Sequence, residues 1–562
     1  MDEEITRTKY ARRGLLQAIK DWSAAADRFI DDGDPYAARA CAQELFNLYP
    51  KSANVPAILG ECELYFGNLD KAESYARQSL EKNSHYNTRA NLVLGGVAAE
   101  RFELDVAIPL LREVAESVTS YEKPGILFRA LTWLSNELYL AGDPDGAADC
   151  LLKASRIKED RAVELYGKHL FYLNYRRPPS RQASEKYQTF FDDITPIERA
   201  SSRHKKIRVG YISPDFRQHA VANFVEPFIK NFDADHFQVT CYQTTNGDDV
   251  TDRLKKNKVR WRNLIDKTPF DSARRIAADE IDFLIDLSGH SQNSCLPILA
   301  YKPAPIQMMA IGYVSSTGLN AVDYFLSDKH CLPSRSERFT EKIFRMPDCH
   351  LCYAPKVVKK MPDVSKTPPC IERRHITFGS FNNFAKVSDQ VLGLWKKILD
   401  GVEDSRLIIK AKTCSIPSGR AIVTQRLSDV GIDPARVELR PFSPDYLEQY
   451  ADVDIALDTF PYNGGLTTCE ALYMGVPVIA LEGETHGDRI AASILHSARS
   501  DELIAATEDE YIKKAVELGN DLERLKNYRS TLRSSMKKSP LMDQKLYMKN
   551  FEAVLKKMFR GE

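Results

Sequence analysis

Residues 457–472 read LDTFPYNGGLTTCEAL and combine the end of an apolar strand, a turn and the beginning of a helix. The apolar run over 453–459 predicts a buried strand that ends at this point. Two glycines, Gly464 and Gly465, mark the turn, and the predicted helix begins at Thr467. A strand, a short turn and a helix in this order indicate an α/β fold with a parallel sheet.

The same turn has the chemistry of an anion-binding site. Gly464 and Gly465 allow the backbone to approach a ligand closely, and the N-terminus of the following helix offers N–H donors to a diphosphate. Thr467 and Thr468 would add hydroxyl donors, and Glu470 would accept hydrogen bonds from ribose hydroxyls. The alternative is structural, because Thr467 and Glu470 also have the spacing of a helix capping box. Both interpretations stay open.

Short apolar runs alternate with helical stretches on both sides of this segment. The predicted strands are 207–213, 237–244, 281–287 and 306–314 in a first series, and 376–381, 405–412, 436–442, 453–459 and 476–482 in a second. The proline-rich stretch 343–375 is the predicted connection between the two series. The pattern predicts two doubly wound, Rossmann-like domains with a cleft between them. Glycosyltransferases of the GT-B type share this layout with some dehydrogenases and binding proteins.

Several common motifs are missing from this α/β region. No G-x-G-x-x-G follows the first strand of either series, which argues against a dinucleotide dehydrogenase. A P-loop and an H-E-x-x-H motif are also missing. Asp452 and Asp454 form a single D-x-D, and Cys349 and Cys352 form a single C-x-x-C without a second pair. We interpret both pairs as structural residues and predict no metal site.

Residues 1–178 read as helix throughout, and one turn pattern recurs in them. Its alanines, Ala38, Ala72, Ala107 and Ala147, are spaced by 34, 35 and 40 residues. A 34-residue helix–turn–helix period is typical of tetratricopeptide repeats, which stack into an all-α superhelix with a concave groove. We expect that groove to bind a protein or peptide, and a plain helical bundle or dimerisation arm is the alternative.

The predicted domain limits follow from these changes of pattern. They are a repeat domain over 1–178, a linker over 179–205, a first wound domain over 206–370 and a second wound domain over 371–562.

Composition limits the class of protein. The chain has 562 residues, and its 78 basic and 78 acidic residues give no net charge, which argues against a nucleic-acid-binding protein. No run approaches the roughly 18 apolar residues of a membrane span, and the N-terminus has no apolar signal segment. Eleven cysteines without a disulfide framework are typical of a reducing cytosol. These features predict a cytoplasmic protein, and association into a homo-oligomer stays open.

Five further segments carry a resemblance to a known family. In chain order they are 209–219 (VGYISPDFRQH), 286–291 (DLSGHS), 302–307 (KPAPIQ), 379–386 (GSFNNFAK) and 483–493 (GETHGDRIAAS). Together with 457–472 they resemble the O-GlcNAc transferase family, glycosyltransferase family 41, which includes SPINDLY-type protein O-fucosyltransferases and bacterial protein glucosyltransferases. The resemblance covers roughly residues 205–560, and the upstream repeats match the usual architecture of that family.

The resemblance implies an inverting, metal-independent transfer of a sugar from a nucleotide sugar to Ser or Thr of a polypeptide. It implies three catalytic residues: Lys386, which would stabilise the leaving diphosphate, and His219 and His290, which would line the acceptor and sugar face. His219 is a candidate proton acceptor, because histidine exchanges protons near neutral pH. Asn383 and His486 would contact the donor.

Two positions differ from the family pattern. O-GlcNAc transferases carry a histidine where this chain has Gly465, and a histidine usually found near the nucleobase is Tyr446 here, so Tyr446 becomes a donor-binding candidate. UDP-GlcNAc ranks first as donor, with UDP-glucose and GDP-fucose open. Transfer to Asn is a second alternative. A tetratricopeptide scaffold without catalysis is a third, and the intact Lys386, Thr467 and Glu470 oppose it.

Overall fold

The computed structural model describes residues 2–82, 87–119, 123–199, 204–331, 339–355 and 361–560. The chain forms two compact units. The first contains Met1–Ala162 with Ile416–Gly419, and the second contains Val163–Ser415 with Arg420–Glu562.

Within the described ranges the first unit contains helices and no strand. The helices are α1 (Asp2–Asp31), α2 (Pro35–Leu48), α3 (Asn54–Tyr65), α4 (Leu69–Lys82), α5 (Thr88–Glu100), α6 (Leu104–Ser117), α7 (Pro124–Ala141), α8 (Pro144–Ala154) and the beginning of α9 (Glu159–Leu173).

The four predicted repeat turns share one backbone conformation. Their first residues all have positive φ: Gly33 at 75°, Gly67 at 74°, Phe102 at 58° and Gly142 at 85°. The alanines at positions 38, 72, 107 and 147 are fully buried. A methyl side chain allows the second helix of each pair to pack closely on the first. The predicted helix–turn–helix repeats are therefore confirmed.

The second unit is built on two parallel sheets. The strands are β1 (Ile207–Ser213), β2 (Phe237–Gln243), β3 (Arg260–Asn263), β4 (Phe283–Asp286), β5 (Ile306–Met309), β6 (Tyr324–Asp328), β7 (Lys342–Met346), β8 (Thr377–Ser380), β9 (Arg406–Lys410), β10 (Val437–Arg440), β11 (Ile455–Leu457), β12 (Val478–Leu481) and β13 (Ile504–Ala505). The first sheet has the order β3-β2-β1-β4-β5-β6-β7 and the second has the order β10-β9-β8-β11-β12-β13. In register, Val209 of β1 lies beside Val239 of β2 and Phe283 of β4.

Helices precede, connect and follow these strands. They are α10 (Arg181–Lys186), α11 (Ala222–Lys230), α12 (Asp249–Lys255), α13 (Pro269–Ala278), α14 (Leu296–Leu299), α15 (Cys370–Arg373), α16 (Asp389–Gly401), α17 (Pro417–Asp429), α18 (Leu466–Tyr473), α19 (Ile490–Ser497), α20 (Glu508–Gly519), α21 (Leu522–Lys537) and α22 (Gln544–Arg560). Parallel strands with helical crossovers in these orders make both halves doubly wound. The predicted fold class, helical repeats followed by a GT-B fold, is confirmed.

All nine predicted strands are present, and four further strands, β3, β6, β7 and β13, were not predicted. β3 is polar (RWRN) and β13 has two residues, so neither has the apolar run that predicts a strand. β6 was missed as well. β7 begins at Lys342 and runs into the stretch 343–375 that the prolines predicted to be a connection, and it extends the first sheet at its edge.

The domain limits stay a prediction, and three observations in the structure concern them. The end of α9 belongs to the second unit, although the repeat domain was predicted to reach residue 178. The predicted linker contains α10 and a short 3-10 helix in which Tyr187 is buried, while its residues 200–203 lie outside the described residues. Near the other end of the chain, Phe551 of α22 packs against Phe228 of α11, so α22 covers the first sheet.

The structure also bears on the predicted lack of a membrane span. Among the described helices, none combines the length and the apolar character that crossing a membrane requires.

All eleven cysteines lie in the described ranges, and all are free.

Candidate active site

The two sheets each reverse their winding once. In the second sheet the reversal falls between β8 and β11, and in the first it falls between β1 and β4. Ligands of doubly wound folds bind at the carboxyl ends of such strands. The residues that follow these four strands are therefore the place to look for a site.

A cradle of hydrogen bonds follows β11. Gly464 donates its N–H to Asp458 Oδ1 at 2.8 Å, and the Thr468 hydroxyl donates to the Gly464 carbonyl at 2.8 Å. The Thr467 hydroxyl donates to Asn382 Oδ1 at 2.9 Å, and Asn382 Nδ2 in turn donates to Asp458 Oδ1 at 3.3 Å. The predicted residues of the turn therefore come together with the segment that follows β8.

The two glycines of this turn have different surroundings. A Cβ on Gly464 would lie 2.4 Å from Thr467 Oγ1 and 2.9 Å from both Asp458 Oδ1 and Thr468 Oγ1. A Cβ on Gly465 would meet nothing closer than 3.8 Å. The cradle thus requires glycine at 464, whereas position 465 has room for a side chain.

The helix after the turn begins one residue earlier than predicted, at Leu466, and Gly465 is its N-cap without a side-chain hydrogen bond. The capping-box interpretation is therefore wrong, because Thr467 lies inside the first turn and bonds Asn382. Glu470 is buried and accepts a hydrogen bond from the Tyr446 hydroxyl at 2.5 Å. The first-turn N–H groups of α18 have no intrahelical acceptor, which is the property that binds anions.

Lys386 ends a short 3-10 turn over Phe384–Lys386 after β8. Its ammonium donates to the Asn463 carbonyl at 2.6 Å and lies 4.2 Å from the centre of the Tyr462 ring. Burial lowers the pKa of Lys386 to about 8, while the nearby Asp458 carboxylate acts in the opposite direction. The structure therefore places this lysine against the turn that leads into α18.

Asp458 and Asn382 complete the cradle, and the sequence did not single out either of them. Asp458 is 2% exposed, and burial raises its pKa to about 7 although the Gly464 N–H and Lys386 oppose the shift. Two features of the sequence could have identified them: Asp458 is a carboxylate directly after a buried strand, and Asn382 belongs to an Asn-Asn doublet with Asn383. Asn383 itself is exposed and accepts the Ala385 N–H at 3.1 Å, which caps the 3-10 turn.

His219 lies in the loop after β1 of the first sheet. Its side chain is 42% exposed, and its Nδ1 lies 3.5 Å from Asp215 Oδ2. Asp215 is buried, and this burial raises the pKa of its carboxyl group. A histidine that is open to solvent and backed by a carboxylate has the arrangement of a general base.

His290 follows β4 and is 1% exposed. Its Nε2 pairs with the Thr317 carbonyl at 2.8 Å, and the rings of Tyr187 and Tyr313 pack edge-on against it at 4.5 and 5.1 Å. Burial lowers the pKa of His290 to about 4, so the ring is neutral at pH 7.

His486 follows β12 and is also 1% exposed. Its ring packs edge-on against Phe325 of β6 at 5.1 Å, and burial lowers its pKa to about 3. Its ring therefore joins the second half to a strand of the first, and its predicted contact with the donor stays a prediction.

The residues that could suggest a metal have other partners. Asp452 forms ion pairs with Arg373 and Arg440. Asp454 accepts the backbone N–H groups of Cys370 and Thr377. These contacts agree with the structural interpretation of the D-x-D pair.

A buried group of Asp328, Cys331, Cys349, His350 and His486 lies near the junction of the halves. It includes ligand atoms within 4.8 Å of one another. However, Asp328 accepts five hydrogen bonds, from the N–H groups of residues 330, 331 and 350, the His350 ring and Ser493. The carboxylate is therefore satisfied by the protein, and the cluster ties the first sheet to α19.

Comparisons with known proteins agree with this geometry. The model of glycosyl transferase family 41 matches residues 190–361 and 364–551. SPINDLY of Solanum lycopersicum, named a probable UDP-N-acetylglucosamine–peptide N-acetylglucosaminyltransferase, is 32% identical over 74% of this chain and 45% of its own length. SEC of Arabidopsis thaliana, with the same enzyme name, is 26% identical over 65% of this chain and 38% of its own. This chain spans less than half the length of these curated relatives.

A solved structure resembles nearly the whole chain. It is a lysine-to-methionine mutant of the Thermobaculum terrenum O-GlcNAc transferase, which is 27% identical and superposes with a TM-score of 0.71 over 97% of this chain and 98% of its own. Because the family model covers most of the chain, this protein belongs to glycosyltransferase family 41.

Proposed function

We propose that this chain transfers a sugar from a nucleotide sugar to a polypeptide side chain, with GlcNAc from UDP-GlcNAc to Ser or Thr as the leading reaction. The observation that carries the proposal is the placement of Lys386 against the turn that opens α18. The names of the relatives support a UDP-GlcNAc donor and a peptide acceptor. UDP-glucose, GDP-fucose and transfer to Asn are the alternatives.

The proposed chemistry is a single displacement with inversion. A bond forms between the acceptor oxygen and the anomeric carbon while the bond from that carbon to the diphosphate oxygen breaks. The leaving diphosphate gains negative charge, and groups already oriented toward it lower the barrier. The Lys386 ammonium and the N–H groups at the start of α18 supply that positive character, so the reaction as proposed needs no metal ion.

The acceptor hydroxyl loses a proton as it attacks. His219 is our candidate for the base, because it is exposed and its Nδ1 faces Asp215, which would stabilise the protonated ring. The burial and the neutral state of His290 favour a positioning function on the sugar and acceptor face over proton transfer.

The donor face is proposed to lie around Tyr446 and Glu470. The Tyr446 hydroxyl holds the Glu470 carboxylate, which would orient it toward the ribose hydroxyls. Gly464, Gly465, Thr467 and Thr468 would surround the diphosphate. We further propose that the concave face of the helical repeats binds the acceptor polypeptide, and that the protein is cytoplasmic.

The decisive variant is Lys386→Ala, with Lys397→Ala as control because Lys397 is exposed on α16. We expect the first to reduce donor hydrolysis and peptide transfer by roughly 10²- to 10³-fold and the second to leave both unchanged. Circular dichroism must show that both are folded. Full turnover by Lys386→Ala would refute the proposed function of this lysine.

The identity of donor and acceptor needs separate measurements. Calorimetric titration of the wild-type chain with UDP, GDP and their sugar conjugates ranks the donors, and a scaffold without catalysis would bind none of them. Mass spectrometry of a modified peptide then separates Ser or Thr from Asn acceptors.

A further inference from the structure

The segment that follows α9, residues 174–176, reaches the candidate active site. Tyr175 is 4% exposed, and its ring stacks on the ring of Tyr462 with centroids 5.2 Å apart and planes at 20°. Tyr462 belongs to the turn between β11 and α18, and its ring carries the Lys386 ammonium at 4.2 Å. The three side chains therefore form one stack that ends on the lysine.

The next residue grips the backbone beside the same lysine. Arg176 Nη1 donates to the Ala385 carbonyl at 2.8 Å, one residue before Lys386. This contact comes from a part of the chain more than two hundred residues away. It restrains the 3-10 turn that aims the lysine side chain.

The other side of this segment is anchored to the first half. Asn174 Nδ2 donates to the Tyr313 hydroxyl at 3.2 Å, and the Ser315 hydroxyl donates to Asn174 Oδ1. Residues 174–176 are thus fixed on one half of the fold and contact the lysine turn of the other half.

We propose that Tyr175 and Arg176 are positioning residues for Lys386, which rests on the proposed function of that lysine in stabilising the leaving diphosphate. Tyr175 covers the Tyr462 ring, and a cation held over an aromatic ring is attracted more strongly where water is excluded. Arg176 holds the backbone from which Lys386 extends. Residues that the sequence assigned to the repeat domain therefore complete the transferase site.

The ionisable groups that face the lysine ammonium define what a variant would change. They are Asp458 after β11 and Tyr462 of the turn, whose ring Tyr175 covers, while Arg176 bonds the carbonyl of the residue before the lysine. Replacing Tyr175 by alanine would admit water to the stack. Since burial is what lowers the pKa of Lys386, hydration would raise it toward its ordinary value.

Two readouts test the proposal on the full chain. Competitive acetylation with acetic anhydride over a pH series, followed by peptide mass spectrometry, measures the protonation of Lys386 without any need for activity. The pH dependence of kcat/KM for donor hydrolysis reports on the free enzyme. The variants are Tyr175→Ala, Tyr175→Phe, Arg176→Ala and, as the matched control, Arg177→Ala, since Arg177 is the exposed neighbour.

We expect Tyr175→Ala and Arg176→Ala to lower kcat by roughly ten- to a hundredfold, with a smaller change in donor KM. Tyr175→Ala should also move the acetylation midpoint of Lys386 to higher pH. Tyr175→Phe should retain the wild-type kcat and the wild-type acetylation midpoint of Lys386, because it keeps the stacking ring. Arg177→Ala should behave as wild type in both measurements.

The opposite results overturn the proposal. Unchanged kcat and unchanged Lys386 acetylation in Tyr175→Ala and Arg176→Ala would show that the segment does not position the lysine. If Tyr175→Ala fails to fold, Arg176→Ala decides by the same criteria. A wild-type chain without any donor turnover would refute the proposed function, whereas a shifted acetylation midpoint in that case would still support the positioning contact.

Discussion

Replacing Gly464 by alanine tests the cradle at its tightest point. The added Cβ would lie 2.4 Å from Thr467 Oγ1 and 2.9 Å from Asp458 Oδ1 and Thr468 Oγ1. None of these neighbours is the free end of a long side chain, and each takes part in a hydrogen bond of the cradle. Overpacking of this kind costs about 1–3 kcal/mol.

The size of the stability loss follows from the side chain that must move to make room for the new Cβ. If the Thr467 side chain rotates away, its bond to Asn382 is lost, at about 1 kcal/mol for a neutral hydrogen bond. The free energy of unfolding should therefore fall by about 2–4 kcal/mol. Nucleotide binding should weaken at least about tenfold, because the backbone and the hydroxyls around the proposed diphosphate position shift together.

Gly465→Ala is the matched control in the same turn. Its Cβ would meet Ile490 at 3.8 Å and Leu351 at 3.9 Å, which are ordinary contacts, and the backbone at 465 has a φ of −96° that alanine adopts readily. Its stability should change by less than about 1 kcal/mol. Urea denaturation and calorimetric titration with UDP measure both effects. An equal loss of stability in the two variants would refute the cradle geometry.

Three further outcomes are expected. The kcat/KM for donor hydrolysis should fall as pH rises through about 8. Lys386 must keep its proton to stabilise the diphosphate, and burial lowers its pKa to about 8. A flat pH profile of kcat/KM between about pH 7 and 9 would contradict this reasoning. Thr467→Val should lower the free energy of unfolding by about 1–3 kcal/mol in urea, since it leaves the buried Asn382 Oδ1 without its donor at 2.9 Å, and Thr467→Ser, which keeps a hydroxyl, should retain the wild-type value. Tyr446→Phe removes the hydroxyl that holds Glu470 and should weaken UDP binding severalfold in calorimetry; unchanged affinity would exclude this pair from the donor face.

Two of the sequence predictions rested on local patterns, and the structure agrees with them. The segment 457–472 predicted a strand, a turn and a helix, and the structure contains β11, the turn and α18 in that order. The recurring turns beginning at Gly33, Gly67 and Gly142 predicted the repeats. Each turn requires a residue with left-handed backbone and a buried alanine a few positions later, so a short stretch of sequence is enough to recognise it. Phe102 occupies the same conformation without being glycine, which shows that the helix pair imposes it.

Other positions were ambiguous in the sequence because two explanations shared one spacing. Thr467 and Glu470 fit both a capping box and a donor site, and only their contacts with Asn382 and Tyr446 ruled out the capping box. His290 and His486 follow strands at the right edge of their sheets, yet both are buried among aromatic rings. Sequence spacing does not state which side of a loop faces the core.

The sequence by itself determined nine of the thirteen strands, the two wound halves and the glycine turn at 464, since periodicity and turn chemistry act over a few residues. Only the tertiary structure decided that Asp458 and Asn382 hold the cradle and that Tyr175 and Arg176 contact the segments on either side of Lys386. These contacts join residues separated by more than seventy and more than two hundred positions. They depend on how helices and sheets pack, and no local pattern encodes that packing.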